Sequence, residues 1–380
     1  MDSCVRRLKQ FIILVIIAVS LVLSTACNNE IDDSNRSQNE TSEKPLVVVS
    51  EIELPYTALC GNAIWDLKLF NGCLYIGAGD YDKNYTVEQA YRYNINKSIW
   101  EECGNIPDEQ IGRFLEIDGK LVVPGFDPTD DWSLGNYYEL DNDSFVTRRV
   151  IPNGIHNFDI VKYRDCYFYG LGVSSGNLPV VKEENQVYSS VSFLDKEGNT
   201  LLTDEFREVR AYDLIVLNDE LYAFIQLDGQ KYVYKYNSEE FIYLSEYTKK
   251  IVVGGFGYTP MLDKCVLNDT LYFTTGLLYC TTDMKNLKYI SPEGIDYVSD
   301  VMVCNNELYI LCNTQKDNNN YTVEIFKLND DDSFVSVVST ESKFPSMSFE
   351  YDGTTFYIGT GDKNANERIQ NAIICMKWEK

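Results

Sequence analysis

Hydrophobic and polar residues alternate along this chain in short runs, and one two-strand pattern recurs seven times. Each copy consists of an apolar strand, a tight polar turn, and Leu-Tyr or a close equivalent that opens a second strand. The copies begin at Asp66, Arg113, Asp159, Asp213, Asp263, Asp300 and Ser348. The equivalent residues in the second strands are Leu74, Leu121, Tyr167, Leu221, Leu271, Leu308 and Phe356, at intervals of 47, 46, 54, 50, 37 and 48 residues. This pattern predicts repeated antiparallel hairpins.

The turn residues and the repeat length together predict the fold. Most turns are Asn-Gly, Asp-Gly, Asn-Asp or Asn-Asn, which tolerate the positive φ of two-residue hairpins. A third and a fourth strand follow most hairpins, and four antiparallel strands every 40–50 residues is the period of a β-propeller blade. The last copy has only three strands, and residues 46–54 form a predicted strand before the first copy. We therefore predict an all-β, seven-bladed β-propeller of four-stranded antiparallel blades over residues 45–380, closed by strand 46–54. The short 37-residue step leaves six or eight blades open.

The N-terminal segment has the pattern of an export signal. Three cationic residues precede an apolar run over residues 11–23, and small residues 24–26 precede Cys27. This arrangement resembles the lipobox of bacterial lipoproteins, in which the cysteine becomes the lipidated first residue. The resemblance implies a signal peptide over 1–26, a lipid on Cys27 and a location in the bacterial cell envelope. An ordinary cleaved signal or a short membrane anchor is the alternative. Residues 27–44 are polar, and we predict a disordered tether there.

Composition excludes several kinds of function. The chain has 58 Asp and Glu against 33 Lys and Arg, a formal charge of −25, so we expect no nucleic-acid partner and membrane contact only through the lipid. It has one histidine, which excludes a metal site with several His ligands. Its eleven cysteines have no regular spacing, which argues against a disulfide framework.

Two blades resemble known propeller families. Gly77-Ala78-Gly79, followed by Tyr93 and Trp100, resembles a Kelch repeat. Residues 281–290 resemble a degenerate Asp-box of sialidase-type propellers, with Asp283 in place and Tyr289 where a Trp is expected. Neither signature runs through the other blades, so the resemblance implies the propeller architecture and identifies no single family.

Five aspartates occupy one position of the repeat. Each lies eight residues before the Leu-Tyr position, at Asp66, Asp159, Asp213, Asp263 and Asp300. One interpretation is structural, since an Asp at a strand entrance accepts hydrogen bonds from backbone N–H groups. The other is a ring of carboxylates at the channel mouth that holds a hard cation such as Ca²⁺.

A second acidic group follows the second strands of three neighbouring blades. It contains Asp80, Asp82, Asp127, Asp131 and Asp362, and Trp65 and Trp132 are expected on the same face. Exposed aromatic rings beside carboxylates are typical of sugar-binding sites, so these residues are candidate ligand-binding residues. The alternatives are solvated loops and Trp side chains that pack between blades.

The sequence favours binding over catalysis. It has no arginine cluster and no Gly-x-Ser-x-Gly motif, and we interpret His156 as a hydrogen-bonded loop residue. We predict a monomeric, lipid-anchored extracytoplasmic propeller that binds a glycan or a protein on one face. One alternative is a glycoside-cleaving enzyme that uses a carboxylate pair among Asp66, Asp80, Asp127 and Asp362. The other is a scaffold for envelope proteins. No catalytic residue is assigned.

Overall fold

The fold is built from β-strands. A computed structural model describes residues 47–55, 63–79, 88–129, 134–152, 156–174, 177–199, 208–227, 230–245, 263–316, 320–361 and 372–378. Cys27 and the tether lie outside the described residues. In this part of the chain, no helix has the length and apolar character needed to cross a membrane.

The first two repeats form separate four-stranded antiparallel sheets, after an initial strand β1 (Val47–Glu53). The first sheet contains β2 (Asp66–Phe70), β3 (Cys73–Gly77), β4 (Glu88–Asn94) and β5 (Ile99–Ile106). The second contains β6 (Leu115–Ile117), β7 (Lys120–Pro124), β8 (Leu134–Asp141) and β9 (Ser144–Pro152). In both, strands that are consecutive in sequence are neighbours in the sheet, as predicted for a blade.

The third and fourth repeats share one nine-stranded sheet. The third supplies β10 (His156–Tyr163), β11 (Cys166–Ser174), β12 (Val180–Glu184) and β13 (Val187–Ser190). The fourth supplies β15 (Glu208–Leu217), β16 (Glu220–Leu227), β17 (Gln230–Tyr236) and β18 (Phe241–Tyr243), and β14 (Phe193–Leu194) pairs in parallel with β18. The two groups are joined where Gly172–Ser174 of β11 pairs with Glu208–Arg210 of β15.

The last three repeats are again separate four-stranded sheets. The fifth repeat contains β19 (Asp263–Leu267), β20 (Thr270–Thr274), β21 (Leu278–Thr281) and β22 (Lys288–Tyr289). The sixth contains β23 (Tyr297–Cys304), β24 (Glu307–Gln315), β25 (Tyr321–Leu328) and β26 (Phe334–Ser342). The seventh contains β27 (Ser346–Tyr351), β28 (Thr355–Thr360) and β29 (Ala372–Trp378). The outer strand of the last sheet is β1, which pairs with β29 from Val47↔Trp378 to Glu53↔Ala372. The predicted closure by the N-terminal strand is therefore confirmed.

The predicted number of blades is wrong. The described residues form five separate four-stranded blades and one nine-stranded sheet, not seven separate blades. The reason lies in the lengths of β11 and β15, which have nine and ten residues. Past Gly170, β11 loses β12 as its partner, and the start of β15 takes that place. The all-β propeller architecture with four-stranded antiparallel blades is confirmed.

The hairpin turns have the geometry that the sequence predicts. Both turn residues have positive φ in five of the seven copies: Asn71-Gly72, Asp118-Gly119, Asn218-Asp219, Asn268-Asp269 and Asn305-Asn306. Two consecutive positive φ angles define a type I′ turn, whose twist matches that of the flanking strands. Short polar side chains and glycine at these positions therefore fix the register of each hairpin.

The hydrophobic core consists of layers between successive sheets. Leu67 and Ile76 of the first sheet pack with Tyr357 and Ile373 of the last. Similar buried clusters join the second, third and fourth repeats, and then each later pair. We call the first strand of each repeat its inner strand. Because each sheet buries apolar side chains on both faces, packing fixes the inner strands around a central channel.

Candidate functional site

The repeated aspartates link the inner strand of one repeat to that of the next. Asp159 accepts the N–H of Ile160 at 3.0 Å and the N–H of Leu214, in the following repeat, at 2.9 Å. Asp300 does the same with Val301 at 2.7 Å and Phe349 at 2.9 Å. Both aspartates directly follow a β-bulge in their own strand.

Asp66 follows the same rule across the first two repeats, since it accepts the N–H of Phe114 at 2.6 Å. These contacts support the structural interpretation of the repeated aspartates. They favour neither a ligand nor a metal at these three positions.

Two cations lie among the carboxylates of the channel. Lys264 Nζ is 2.6 Å from Asp159 Oδ2 and 2.7 Å from Asp213 Oδ1. Arg113 contacts the same two carboxylates, at 3.4 Å from Asp159 Oδ1 and 3.3 Å from Asp213 Oδ1. The negative charges of Asp159 and Asp213 are therefore balanced by protein side chains.

The other three aspartates line a channel cavity of about 320 Å³, together with Lys68 and Glu350. Burial raises the pKa of Asp66 to about 7 and that of Asp263 to about 6. Burial, together with the charges of Asp263 and Asp66, raises the pKa of Asp300 well above its ordinary value. No group of three or more His, Cys, Asp or Glu side chains among the described residues has the arrangement of a metal site. The calcium site remains a prediction.

Of the residues predicted to bind a ligand, the structure describes Trp65 and Asp127. Asp80, Asp82, Asp131, Asp362 and Trp132 lie outside the described residues. The indole N–H of half-buried Trp65 donates to the carbonyl oxygen of Gly79 at 2.6 Å. This hydrogen bond fixes the end of the first hairpin, so the indole N–H of Trp65 has a structural role.

Asp127 lies beside the single histidine. His156 Nδ1 is 2.7 Å from the carbonyl oxygen of Phe126 and 3.7 Å from Asp127 Oδ1. Because a carbonyl oxygen only accepts, Nδ1 carries the proton and Nε2 is the basic atom of the neutral ring. Burial raises the pKa of the Asp127 carboxyl, while the positive charges of His156 and Arg210 act in the opposite direction.

A buried carboxyl holds the Asp127 loop in place. Asp108 is fully buried and accepts the N–H of Asp127 at 2.8 Å, and Tyr138 donates its hydroxyl to the other oxygen at 3.2 Å. Burial raises the pKa of Asp108 well above its ordinary value. Asp127 is therefore presented to His156 by a polar network beneath it.

Arg210 completes the cluster from the next repeat. The His156 ring stacks on Phe158 at 5.6 Å, and the Arg210 guanidinium carbon lies 6.0 Å from the centre of the same ring. Arg210 also donates to the hydroxyl of Tyr212 at 3.2 Å. We name Asp127, His156, Phe158, Arg210 and Tyr212 the His156 site. It combines a basic nitrogen, a carboxylate, a guanidinium and a phenol on one aromatic support.

Sequence reasoning missed this site. It interpreted His156 as a hydrogen-bonded loop residue and assigned no role to Arg210. The available signal was that the chain's single histidine begins an inner strand. His156 lies near Arg210 because Gly172 of β11 pairs with both residues. It pairs with His156 of β10 on one side and with Arg210 of β15 on the other.

Comparison with known proteins gives the fold and no family. No family model and no curated protein matches the chain. Its structure is similar to virginiamycin B lyase from Staphylococcus aureus, with a TM-score of 0.54 and 9% identity over 88% of this chain and 100% of that one. A catalytically inactive His-to-Ala variant of that lyase with quinupristin gives 0.50 and 10%, with the same coverage. Both are β-propellers, and at these identities the similarity shows the fold alone.

Proposed function

We propose that this chain is a ligand-binding β-propeller whose binding site is the His156 site. The observation that carries the proposal is that His156 and Arg210, from different repeats, are held over one aromatic ring, Phe158. Their polar ends, with that of half-buried Asp127, provide donors and acceptors on a partly exposed surface, while buried Tyr212 accepts a hydrogen bond from Arg210. A few convergent polar groups on an apolar support are typical of small-ligand sites.

A glycan is the ligand class that these groups fit best. Sugar hydroxyls both donate and accept, so they match a carboxylate, a guanidinium and a basic nitrogen in one site. A protein partner, for which the propeller would serve as an envelope scaffold, is the alternative. The acidic loops and Trp132, predicted on the same face, would extend the site.

The test measures thermal unfolding of the full-length chain with soluble neutral and acidic polysaccharides. We expect one of them to raise the melting temperature of the wild type and not of His156→Gln. Arg148→Gln is the matched control, because Arg148 lies on outer strand β9 and pairs with Glu139. A shift that survives in His156→Gln, or no shift with any polysaccharide, would contradict a glycan site there.

Catalysis at the same site is a second candidate. It is favoured by the fixed tautomer, because a histidine whose Nδ1–H is held by a carbonyl presents Nε2 as a general base. One propeller of similar fold is a lyase whose His-to-Ala variant is catalytically inactive. Release of a new reducing or unsaturated end from a bound glycan, lost in His156→Ala at unchanged melting temperature, would identify an enzyme. The carboxylate-pair mechanism is not favoured by the described residues, in which Asp66 is committed to Phe114.

We also propose that the chain is exported and lipid-anchored at Cys27. The support is the sequence of residues 1–27 alone. In cells fed an alkyne-tagged fatty acid, the wild type should become labelled and Cys27→Ser should not. Labelling of both would contradict lipidation at Cys27.

A further inference from the structure

One row of side chains crosses the nine-stranded sheet at the His156 site. The pairing is His156↔Gly172, Gly172↔Arg210, Arg210↔Gln226 and Gln226↔Lys231. Directly paired residues of antiparallel strands have their side chains on the same face of the sheet. His156, Arg210, Gln226 and Lys231 therefore follow one another on one face, and we name them the cationic row.

The basic residues of the cationic row alternate with positions that carry no basic side chain. His156, Arg210 and Lys231 lie on β10, β15 and β17, while β11 contributes Gly172 and β16 contributes Gln226. Adjacent strands are about 4.8 Å apart, so the Arg210 and Lys231 positions are roughly 10 Å apart and the row spans about 19 Å.

Gly172 is required for this arrangement. A Cβ added there would lie 2.7 Å from the His156 ring and 2.9 Å from the Phe158 ring. Both distances are shorter than side chains tolerate, so any larger residue would displace the first member of the row. The same glycine is where β11 exchanges β12 for β15, which is what makes the row continuous.

The far end of the row forms no direct polar contact with the part of the chain that the structure describes. Lys231 and Gln226 are half-buried, and neither side chain forms a hydrogen bond or an ion pair with any residue that the structure describes. Burial lowers the pKa of Lys231 to about 8, and the charge of Asp213 offsets only part of this. An ammonium group held near the surface at this cost, in a chain of net charge −25, is suited to an anionic ligand.

We propose that the cationic row binds an acidic glycan in which anionic sugars alternate with neutral ones. This proposal rests on the proposed function and names its ligand. Arg210 and Lys231 face carboxylates of two anionic sugars, and Gln226 bonds to the hydroxyls of the neutral sugar between them. His156 Nε2 accepts a hydrogen bond from a sugar hydroxyl at the end of the row. The overall negative charge opposes a densely charged polymer such as nucleic acid, whose phosphates lie closer together than these cations.

The test is titration calorimetry of the full-length chain with two oligosaccharides of equal length. A hyaluronan hexasaccharide carries a carboxylate on every second sugar, and chitohexaose carries none. We expect hyaluronan to bind at least tenfold more tightly, and Lys231→Gln to lose about tenfold in affinity for it. Lys120→Gln is the control, because Lys120 is exposed, lies at the hairpin-turn end of β7 and pairs with Glu139. It should bind as the wild type does.

The remaining outcomes separate this proposal from the one beneath it. Equal binding of both sugars, lost in His156→Gln, would overturn the acidic ligand and leave the His156 site as a glycan site. Binding of oligogalacturonate, charged on every sugar, without hyaluronan would overturn the alternating spacing. No binding of any of the three, while a polysaccharide raises the melting temperature of the wild type, would overturn the acidic ligand alone. Lys231→Gln should keep the wild-type melting temperature, because Gln retains most of the side chain and Lys231 has no hydrogen bond or ion pair with the described residues.

Discussion

Lys264 Nζ lies 2.6 Å from Asp159 Oδ2, although the two residues are 105 positions apart in the sequence. Lys264 belongs to the fifth repeat and Asp159 to the third, so this ion pair crosses the central channel. The same carboxylate accepts the N–H of Leu214 in the fourth repeat. One buried aspartate therefore joins three successive repeats at the channel.

The first prediction concerns this ion pair. Lys264→Met should lower the free energy of unfolding by about 3 kcal/mol, because Asp159 and Asp213 are almost fully buried and would keep Arg113 as their one ion-pair partner among the described residues. Chemical denaturation measures the change. Lys288→Met is the control, because its pair with Asp332 is more than half exposed and is worth under about 1 kcal/mol. Equal losses in the two variants would contradict the role given to Lys264.

The sequence predicted the position of the channel carboxylates and missed their partners. Asp66, Asp159 and Asp300 recur at one offset because each accepts the equivalent backbone N–H of the next repeat in its hydrogen-bonding set. A contact that recurs in this way requires the same residue at the same position of each repeat. Arg113 stands at the aspartate offset of the second repeat, and Lys264 lies one position later in the fifth. These two cations serve Asp159 and Asp213 and are not repeated elsewhere in the ring. Cations that are not repeated give no periodic signal in the sequence.

The His156 site was missed for a related reason. Hairpin register follows from local turn residues, which the sequence displays. The pairing of Gly172 with Arg210 follows from the lengths of β11 and β15, which local hydrophobic alternation does not specify. The nine-stranded sheet and the cationic row on it arise from the same pairing, so the wrong blade count and the missed site have one cause.

The second prediction concerns calcium. We expect the melting temperature at pH 8 to be the same in millimolar calcium and in chelator, because Arg113 and Lys264 already compensate two of the five carboxylates. Asp263, which has no cation within ion-pair distance among the described residues, is the best remaining ligand for a metal. A rise in calcium that disappears in Asp263→Asn would restore the metal site.

The third prediction concerns pH. The pKa of Asp66 is raised to about 7 from an ordinary value of 3.8, so the folded chain binds a proton that the unfolded chain has lost. Stability should therefore fall as pH rises from about 4 to about 7, by roughly 1–2 kcal/mol after allowance for channel water. Asp66→Asn should flatten this part of the profile. A profile that keeps its slope in the variant would assign the titration to other groups.

The fourth prediction concerns Gly172. Gly172→Ala should lower the free energy of unfolding by about 1–3 kcal/mol and weaken glycan binding, because its Cβ would meet the rings of His156 and Phe158. Gly112→Ala is the matched control, because its Cβ would lie 3.0 Å from its nearest neighbour, Nε2 of buried Gln110, so its contacts are less severe than those at Gly172. Unchanged stability and binding in Gly172→Ala would mean that the two rings do not occupy these positions.

The fifth prediction concerns closure of the ring. A chain that begins at residue 46 should unfold at the same temperature as the full-length chain, because residues 46–380 form one compact unit. A chain that begins at residue 56 lacks β1, and β29 then becomes an exposed edge with unpaired backbone groups. We expect this shorter chain to melt at a markedly lower temperature and to aggregate through that edge, as light scattering during heating would measure. A synthetic peptide of residues 46–55 added in excess should restore part of the lost stability, because it supplies the missing strand without changing the rest of the chain. If the shorter chain is as stable as the longer one, β1 does not close the ring.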